Sequence, residues 1–347
     1  MVFIALLVCF LITTLLTPYV KKLALKMGAT DQPDKRKVHE KIMPRLGGLG
    51  IYISIIIGSL LFLPKEKETI FILVGATLIA LIGVLDDIFS LSPKVKFLGQ
   101  IIVAILTIFG GIKIEFLTLP FVDRLEFGII SIPLTILWIV GITNSINLTD
   151  GLDGLAAGIS SIALLTISTM ALSIGNTFVA LLGFIVVGST LGFLLYNFHP
   201  AKIFMGDTGS LLLGYMISIL SIMGLFKNVT FFSILVPIII LGVPILDTLF
   251  AIIRRILLKK PLSAPDKLHL HHCLLRLGFT HRQTVLLIYA MSCIFSTAAI
   301  IFTRSTLWGS TITLIFLLIA IELTVELTGL VGKKYKPIIN FLSRFQS

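Results

Sequence analysis

Apolar runs of roughly 17 to 25 residues recur along almost the whole chain, each long enough to cross a bilayer core as a helix. Short polar strings separate them. Eleven such runs, centred near residues 12, 54, 79, 103, 137, 163, 185, 216, 242, 293 and 318, predict an all-α polytopic membrane protein with about 11 transmembrane helices. Lipid offers no hydrogen bonds to the backbone, so a run of this length is expected to span as a helix. The run from about Val2 to Val20 has no basic residue before it and no small-residue cleavage site after it, so it reads as a retained helix rather than a cleaved signal. With no internal repeat in view, residues 1–347 are expected to form a single integral membrane domain.

Composition strengthens this reading. The chain is 56% hydrophobic and only 13% charged, too apolar for a soluble surface. A net charge of +11 could suggest nucleic acid, but in a membrane protein basic residues mark cytoplasmic loops. With the N-terminus outside and the C-terminus cytoplasmic, the loops 21–45, 86–96, 147–153, 197–207 and 254–283 and the tail after Gly332 hold 22 of the 28 Lys and Arg residues. No nucleic-acid partner is expected. Cys9, Cys273 and Cys293 show no CxxC spacing, so neither a disulfide nor a thiolate metal site is implied.

The unusual polar strings all fall on that same predicted face. They are DQPDKRKVHEKIMPRLGG, DDIFSLSPKVK, NLTDGLDG, NFHPAKIFMGDTGS and PDKLHLHHCLLRLGFTHRQ, and their shared side predicts one site built from five loops. Asp86 and Asp87 close the third run, and both can face one ligand only if the helix stops there. An acid pair at membrane depth costs about 2.5–3.5 kcal/mol per charge unless a cation or polar cavity compensates. In NLTDGLDG a helical turn would set Asp150 and Asp153 on one face near Asn147, although Asp150 could simply cap the next helix. Asp207 stands at the start of the eighth run, as an N-cap or as a Mg²⁺ ligand, since Mg²⁺ takes one or two carboxylates and fills its shell with water and phosphate oxygens. Asn197 and Phe204 suit a planar base. His269, His271, His272 and His281 lie among seven basic residues, a composition suited to a diphosphate; a zinc site is the other reading. The first loop adds Lys35, Arg36, Lys37, His39 and Arg45.

Taken in order over about residues 30 to 285, these strings resemble the polyprenyl-phosphate N-acetylhexosamine-1-phosphate transferases. NLTDGLDG with FMGDTGS carries most of the resemblance. PRLGG at Pro44–Gly48 and HLHH at His269–His272 are similar to the GlcNAc-1-phosphate branch (WecA and TagO) rather than to the muramoyl-pentapeptide branch (MraY). The short spacing from Asp87 to Lys94 departs from the lysine-rich MraY loop, so that branch's lysine contacts are not carried over.

The resemblance implies an enzyme that moves a sugar 1-phosphate, by branch GlcNAc-1-phosphate, from a UDP-sugar to undecaprenyl phosphate and releases UMP. That would be the first membrane step of a cell-envelope polymer such as teichoic acid or lipopolysaccharide, on the cytoplasmic face of the inner membrane. The muramoyl-pentapeptide donor is the alternative. By resemblance Asp207 would hold Mg²⁺, with Mn²⁺ as a substitute, and Asp86 and Asp87 would position or deprotonate the lipid phosphate. His269 would act near the phosphates with His271 and His272 in support. Asn147, Asp150 and Asp153 match the nucleotide-side motif, Asn197 and Phe204 the nucleoside positions, and Arg45 would bind substrate. Homodimer formation is left open. From another class, a transporter for an anionic substrate is the rival, because Asp247, Glu322 and Glu326 sit in or near apolar runs.

Overall fold

Helices form where the apolar runs predict them, and their ends follow local chemistry. In the computed structural model, which describes residues 1–32, 42–119, 122–226, 234–261, 266, 268–330 and 335–343, the first helix is α1 (Val2–Met27). It closes on Gly28, whose φ of 72° is open to glycine without a Cβ penalty. Next come α2 (Gly47–Phe62), α3 (Lys67–Phe89) and α4 (Pro93–Phe109), the last with Pro93 in its first turn, where a missing N–H costs nothing. They are followed by α5 (Ser131–Thr149), α6 (Leu155–Ser173), α7 (Thr177–Asn197) and α8 (Gly206–Ser221). Two antiparallel ribbons decorate the loops, β1 (Thr30–Asp31) with β2 (Met43–Pro44) and β3 (Phe116–Leu119) with β4 (Val122–Glu126). Lys35, Arg36, Lys37, His39 and Lys267 of the predicted basic loops lie outside the described residues.

Among the described residues, eight helices are long and apolar enough to cross a membrane, which makes the protein a multi-pass membrane protein. The runs centred near 54 and 103 carry the shorter α2 and α4. The run near 242 is broken into α9 (Leu235–Ile240) and α10 (Gly242–Leu257), because Pro244 has no N–H to continue the first helix and instead fits the opening turn of the second.

The chain divides into two compact units, Met1–Pro237 and Ile238–Ser347. In the first, α8 lies at the centre: 94% of its apolar window is buried, against 78% for α7 and 22% for α1. Small residues allow the close approaches. Gly188 and Gly192, spaced as GxxxG on α7, sit against the backbone of α1 at Leu6 and Phe10. Gly83 of α3 abuts the backbone of Thr208 at the start of α8, which brings the acidic end of α3 onto α8.

The second unit holds α10, α11 (Leu270–Arg276), α12 (His281–Arg304), α13 (Leu307–Thr328) and α14 (Pro337–Ser343). Thr280 and Gln283 form a reciprocal capping box that starts α12. Glu326 of α13 accepts the N–H groups of Ile338 and Ile339 at 2.6 and 2.9 Å, which supplies α14 with partners for its opening donors.

Gly83→Val would place three extra carbons against the Thr208 backbone, where no flexible side chain can yield. The expected cost is about 1–3 kcal/mol of stability, read as a lower unfolding temperature in detergent, together with loss of the α3–α8 geometry.

Candidate functional site

The first unit gathers its charged residues where α3, α5 and α8 end or begin. Helix α3 runs two residues beyond Asp87 to Phe89, so the expectation that it stops at the acid pair is corrected. Its two carboxylates diverge and then converge on residue 207. Asp87 accepts from Arg45 through Nε and Nη2, both at 3.0 Å, from the N–H groups of Asp207 and Thr208 at 3.0 Å each, and from Thr208 Oγ1 at 2.6 Å. Asp86, 5% exposed, instead meets Lys96 Nζ at 3.1 Å. The same ammonium bonds Asp207 Oδ2 at 2.8 Å.

This arrangement excludes the capping reading of Asp207. A capping side chain would take the free N–H groups of the first turn of α8, but Asp87 already occupies them, and α8 has no side-chain cap of its own. Asp207's carboxylate is therefore directed to Lys96 and Asp86. Gly206 makes room, since a Cβ there would collide with Arg45 O and the Asp87 carboxylate. The guanidinium of Arg45 is opposed by burial, but Asp87 outweighs this and keeps it firmly charged.

The NLTDGLDG stretch also differs from a helical turn. Asp150 is the C-cap of α5 and the following residues turn, so it neither caps α6 nor shares a helix face with Asp153. Its carboxyl is pushed up to about 8, first by burial and then by the charges of Asp207 and Asp87. Asp153 accepts from Ala201 N–H at 3.1 Å and pairs with His199 Nδ1 at 2.8 Å, which ties the NFHPAK loop down. Asn147 donates to Ser210 Oγ at 2.8 Å and so joins α5 to α8.

The two residues expected at a nucleoside also make structural bonds. The Asn197 side chain reaches backbone with both ends, accepting from Gly154 N–H at 3.1 Å and donating to Ile203 O at 3.0 Å, so it clamps two loops. Phe204 keeps a half-buried ring, while its backbone pairs with the PRLGG turn: its N–H reaches Pro44 O at 2.8 Å and its carbonyl accepts from Gly47 at 3.0 Å. Gly48 adds a bond to Met205 O at 2.8 Å, and a Cβ there would strike Gly209. The PRLGG string thus seats Arg45 against Asp87.

The histidine loop belongs to the second unit. Asp247 of α10 accepts from Leu270 N–H at 2.8 Å and meets His269 Nδ1 at 2.8 Å. Two turns further along α10, Arg254 holds Asp266 at 2.6 Å and the carbonyl of Leu330 at 3.1 Å. Burial alone would raise the Asp266 carboxyl, but Arg254 and the Leu268 N–H hold it below the usual carboxylate range. His271 is pushed down to about 3, chiefly by burial and then by His272, so it stays neutral near pH 7.

Lys96, Thr208 and Asp247 were not among the expected site residues. Lys96 gives no periodic signal, since it reaches Asp207 from 111 positions away. Asp247 was visible only as an acid in an apolar run.

Against known proteins, residues 69–225 match the model of Glycosyl transferase family 4. The chain is 55% identical over 343 residues to the "Probable undecaprenyl-phosphate N-acetylglucosaminyl 1-phosphate transferase" of Bacillus subtilis (strain 168), covering 98% of this chain and 96% of that protein. It is 37% identical to the "Decaprenyl-phosphate N-acetylglucosaminephosphotransferase" of Mycolicibacterium smegmatis, covering 80% of this chain and 76% of that one. It is 34% identical to the "Phospho-N-acetylmuramoyl-pentapeptide-transferase" of Halalkalibacterium halodurans, covering 86% and 96%.

The raised Asp150 carboxyl carries a sign. Its folded value near 8 lies above the ordinary 3.8, so the native state keeps a proton that the unfolded chain has lost, and this group's contribution to stability falls as pH rises from about 4 to 8. Asp150→Asn removes that penalty. In EDTA at pH 8 the variant is expected to unfold about 2 °C or more above the wild type, with the difference vanishing near pH 4. Equal melting curves at pH 8 would refute the assignment.

Proposed function

The chain belongs to the polyprenyl-phosphate N-acetylhexosamine-1-phosphate transferases of Glycosyl transferase family 4, and from that premise we propose that it moves GlcNAc-1-phosphate from UDP-GlcNAc to undecaprenyl phosphate. The observation that carries the site assignment is the meeting of Asp86, Asp207 and Lys96 beside the Asp87–Arg45 pair. The 55% identity along nearly the full length to a GlcNAc-1-phosphate transferase favours GlcNAc over the muramoyl-pentapeptide donor, whose relative matches at 34%.

In the reaction an oxygen of the lipid phosphate forms a bond to the β-phosphorus of the donor. The anhydride bond to the α-phosphate breaks, and UMP leaves with the electron pair. Two anions must be brought together for this, so their repulsion has to be screened and their approach aligned. The donor set fits Mg²⁺: Asp86 and Asp207 supply hard carboxylate oxygens, already arranged around one positive charge, and among the described residues no thiolate or imidazole is bonded to them. Asp207 and Asp86 would hold the ion, with Mn²⁺ as a substitute. When bound it would screen the diphosphate and the leaving phosphate. Lys96 then serves as a mobile cation for phosphate oxygens. Asp87 is the residue that orients Arg45 and the first turn of α8, rather than a base, since lipid phosphate is already ionised near pH 7. Asp150 adds a carboxyl whose charge depends on the cation nearby.

Two of the three acids behind the transporter reading have structural partners. Asp247 is engaged with His269 and Leu270, and Glu326 with the N–H groups of α14. By the distribution of Lys and Arg, we place the loops of α3, α5 and α8 on the cytoplasmic side of the cell membrane, where the soluble UDP-sugar is found.

The test is purified protein with undecaprenyl phosphate, Mg²⁺ and, in parallel, UDP-GlcNAc, UDP-GalNAc and UDP-MurNAc-pentapeptide. UMP and lipid product are expected with UDP-GlcNAc alone and are lost in EDTA. Asp207→Ala should lower turnover about 100-fold or more. Near-normal turnover in that variant would remove Asp207 from the ion site. Asp87→Asn should slow turnover and also lower the unfolding temperature, because the Arg45 charge loses its partner.

A further inference from the structure

Gln100 and Asn144 form a buried amide pair that the proposed reaction leaves unused. Gln100, on α4, is 2% exposed; its Oε1 accepts from Asn144 Nδ2 of α5 at 2.5 Å, and its Nε2 donates to Asn144 Oδ1 at 3.5 Å. The pairing is reciprocal. Asn144 Nδ2 also donates to Val140 O at 2.8 Å, where a second carbonyl oxygen could not stand, so the orientation of both amides is fixed. Buried amides are costly unless bonded, and because hydrogen bonds are directional a head-to-head pair holds its two helices at one separation.

Its place in the chain gives the pair a task. Gln100 lies one turn of α4 past Lys96, and Asn144 lies three residues before Asn147 on α5, so each of these two sets shares a helix face. Asn147 donates to Ser210 Oγ at 2.8 Å, and Ser210 stands three residues past Asp207 on α8. One face of α5 therefore holds the helix of Lys96 with one asparagine and the helix of Asp207 with the other. These are the two residues whose Nζ and Oδ2 meet at 2.8 Å. The opposite face of α4, with Phe97, Leu98 and Ile102, is exposed, so this helix is held from its inner side. Two turns past Gln100, Thr107 Oγ1 meets Tyr215 Oη of α8 at 3.0 Å, which anchors the far half of α4 independently of the amides.

We infer that Gln100 and Asn144 are positioning residues for Lys96, fixing the reach of its ammonium so that it stays beside Asp207 when a cation and phosphate oxygens enter. The effect on turnover rests on the transferase reading, while the placement of Lys96 does not. A merely structural contact would support the fold without reference to Lys96.

Gln100→Met combined with Asn144→Leu separates the two roles. It removes the pair without leaving either amide unpartnered, a replacement that is nearly neutral for stability, so the unfolding temperature should stay within about 2 °C of the wild type. Modification of Lys96 by an acetylating reagent, read by mass spectrometry against the exposed Lys94 of the same protein, should rise severalfold, because Nζ is no longer held at Asp86 and Asp207. The kcat for UMP release should fall about tenfold, with KM for UDP-GlcNAc within about twofold of wild type. Exchanging the amides, Gln100→Asn with Asn144→Gln, keeps the summed length and should restore both readouts, whereas each single exchange should not. In a Lys96→Met background the apolar replacement should cost no further turnover, since the residue it positions is gone. Wild-type labelling of Lys96 in the apolar double variant, or an undiminished loss of turnover in the Lys96→Met background, would overturn the proposal. Absence of UMP release from the wild type would instead overturn the transferase reading, with the labelling still deciding what places Lys96.

Discussion

The carboxylate of Asp87 is where three distant stretches of chain are made to agree on one geometry. A charge this deeply buried is tolerable only with its lone pairs filled, and here Arg45, two N–H groups of α8 and the Thr208 hydroxyl fill them. Because these donors are the free groups of a helix start, the acid of α3 stands at the positive end of the α8 dipole. The arrangement fixes where α8 begins, which way Asp207 projects and how Arg45 lies. Lys96 and Asp86 then complete a polar patch on a frame that is already set.

Much of this was legible in the sequence. Apolar runs located the helices, because a bilayer solvent leaves few other ways to bury that much apolar length. The acidic strings pointed to the polar cluster where α3, α5 and α8 end or begin, because carboxylates at membrane depth need a reason to be there. What sequence could not supply was direction. Neighbouring Asp86 and Asp87 point to different partners, and nothing in DD says which one faces Lys96. Asn197 carried an amide suited to a base, yet the tight turn at Gly154 claimed it. The glycines of PRLGG announced a close approach without naming α8 as the surface approached. The break near residue 241 was present as GVP, but a continuous apolar run hid it.

The second unit uses the same device in another form. There too a carboxylate from a helix, Asp247, binds a backbone N–H and a basic side chain from a loop, and Arg254 with Asp266 repeats the clamp two turns away. Loops rich in polar groups are given definite conformations by acids and bases projecting from regular helices. Chemistry carried on loops then gains the rigidity of the scaffold.

The seclusion of α8 has a consequence for how such an enzyme meets its surroundings. With 94% of its apolar window enclosed by protein, the helix bearing Asp207 has almost no annular lipid of its own. Thickness, fluidity and headgroup chemistry of the host bilayer act first on outlying helices such as α1 and α13, whose windows are 22% and 17% buried. The proposed reaction centre is in this sense mechanically sheltered, so a greasy substrate could arrive from the membrane without the surroundings of Asp207 following every fluctuation of that membrane.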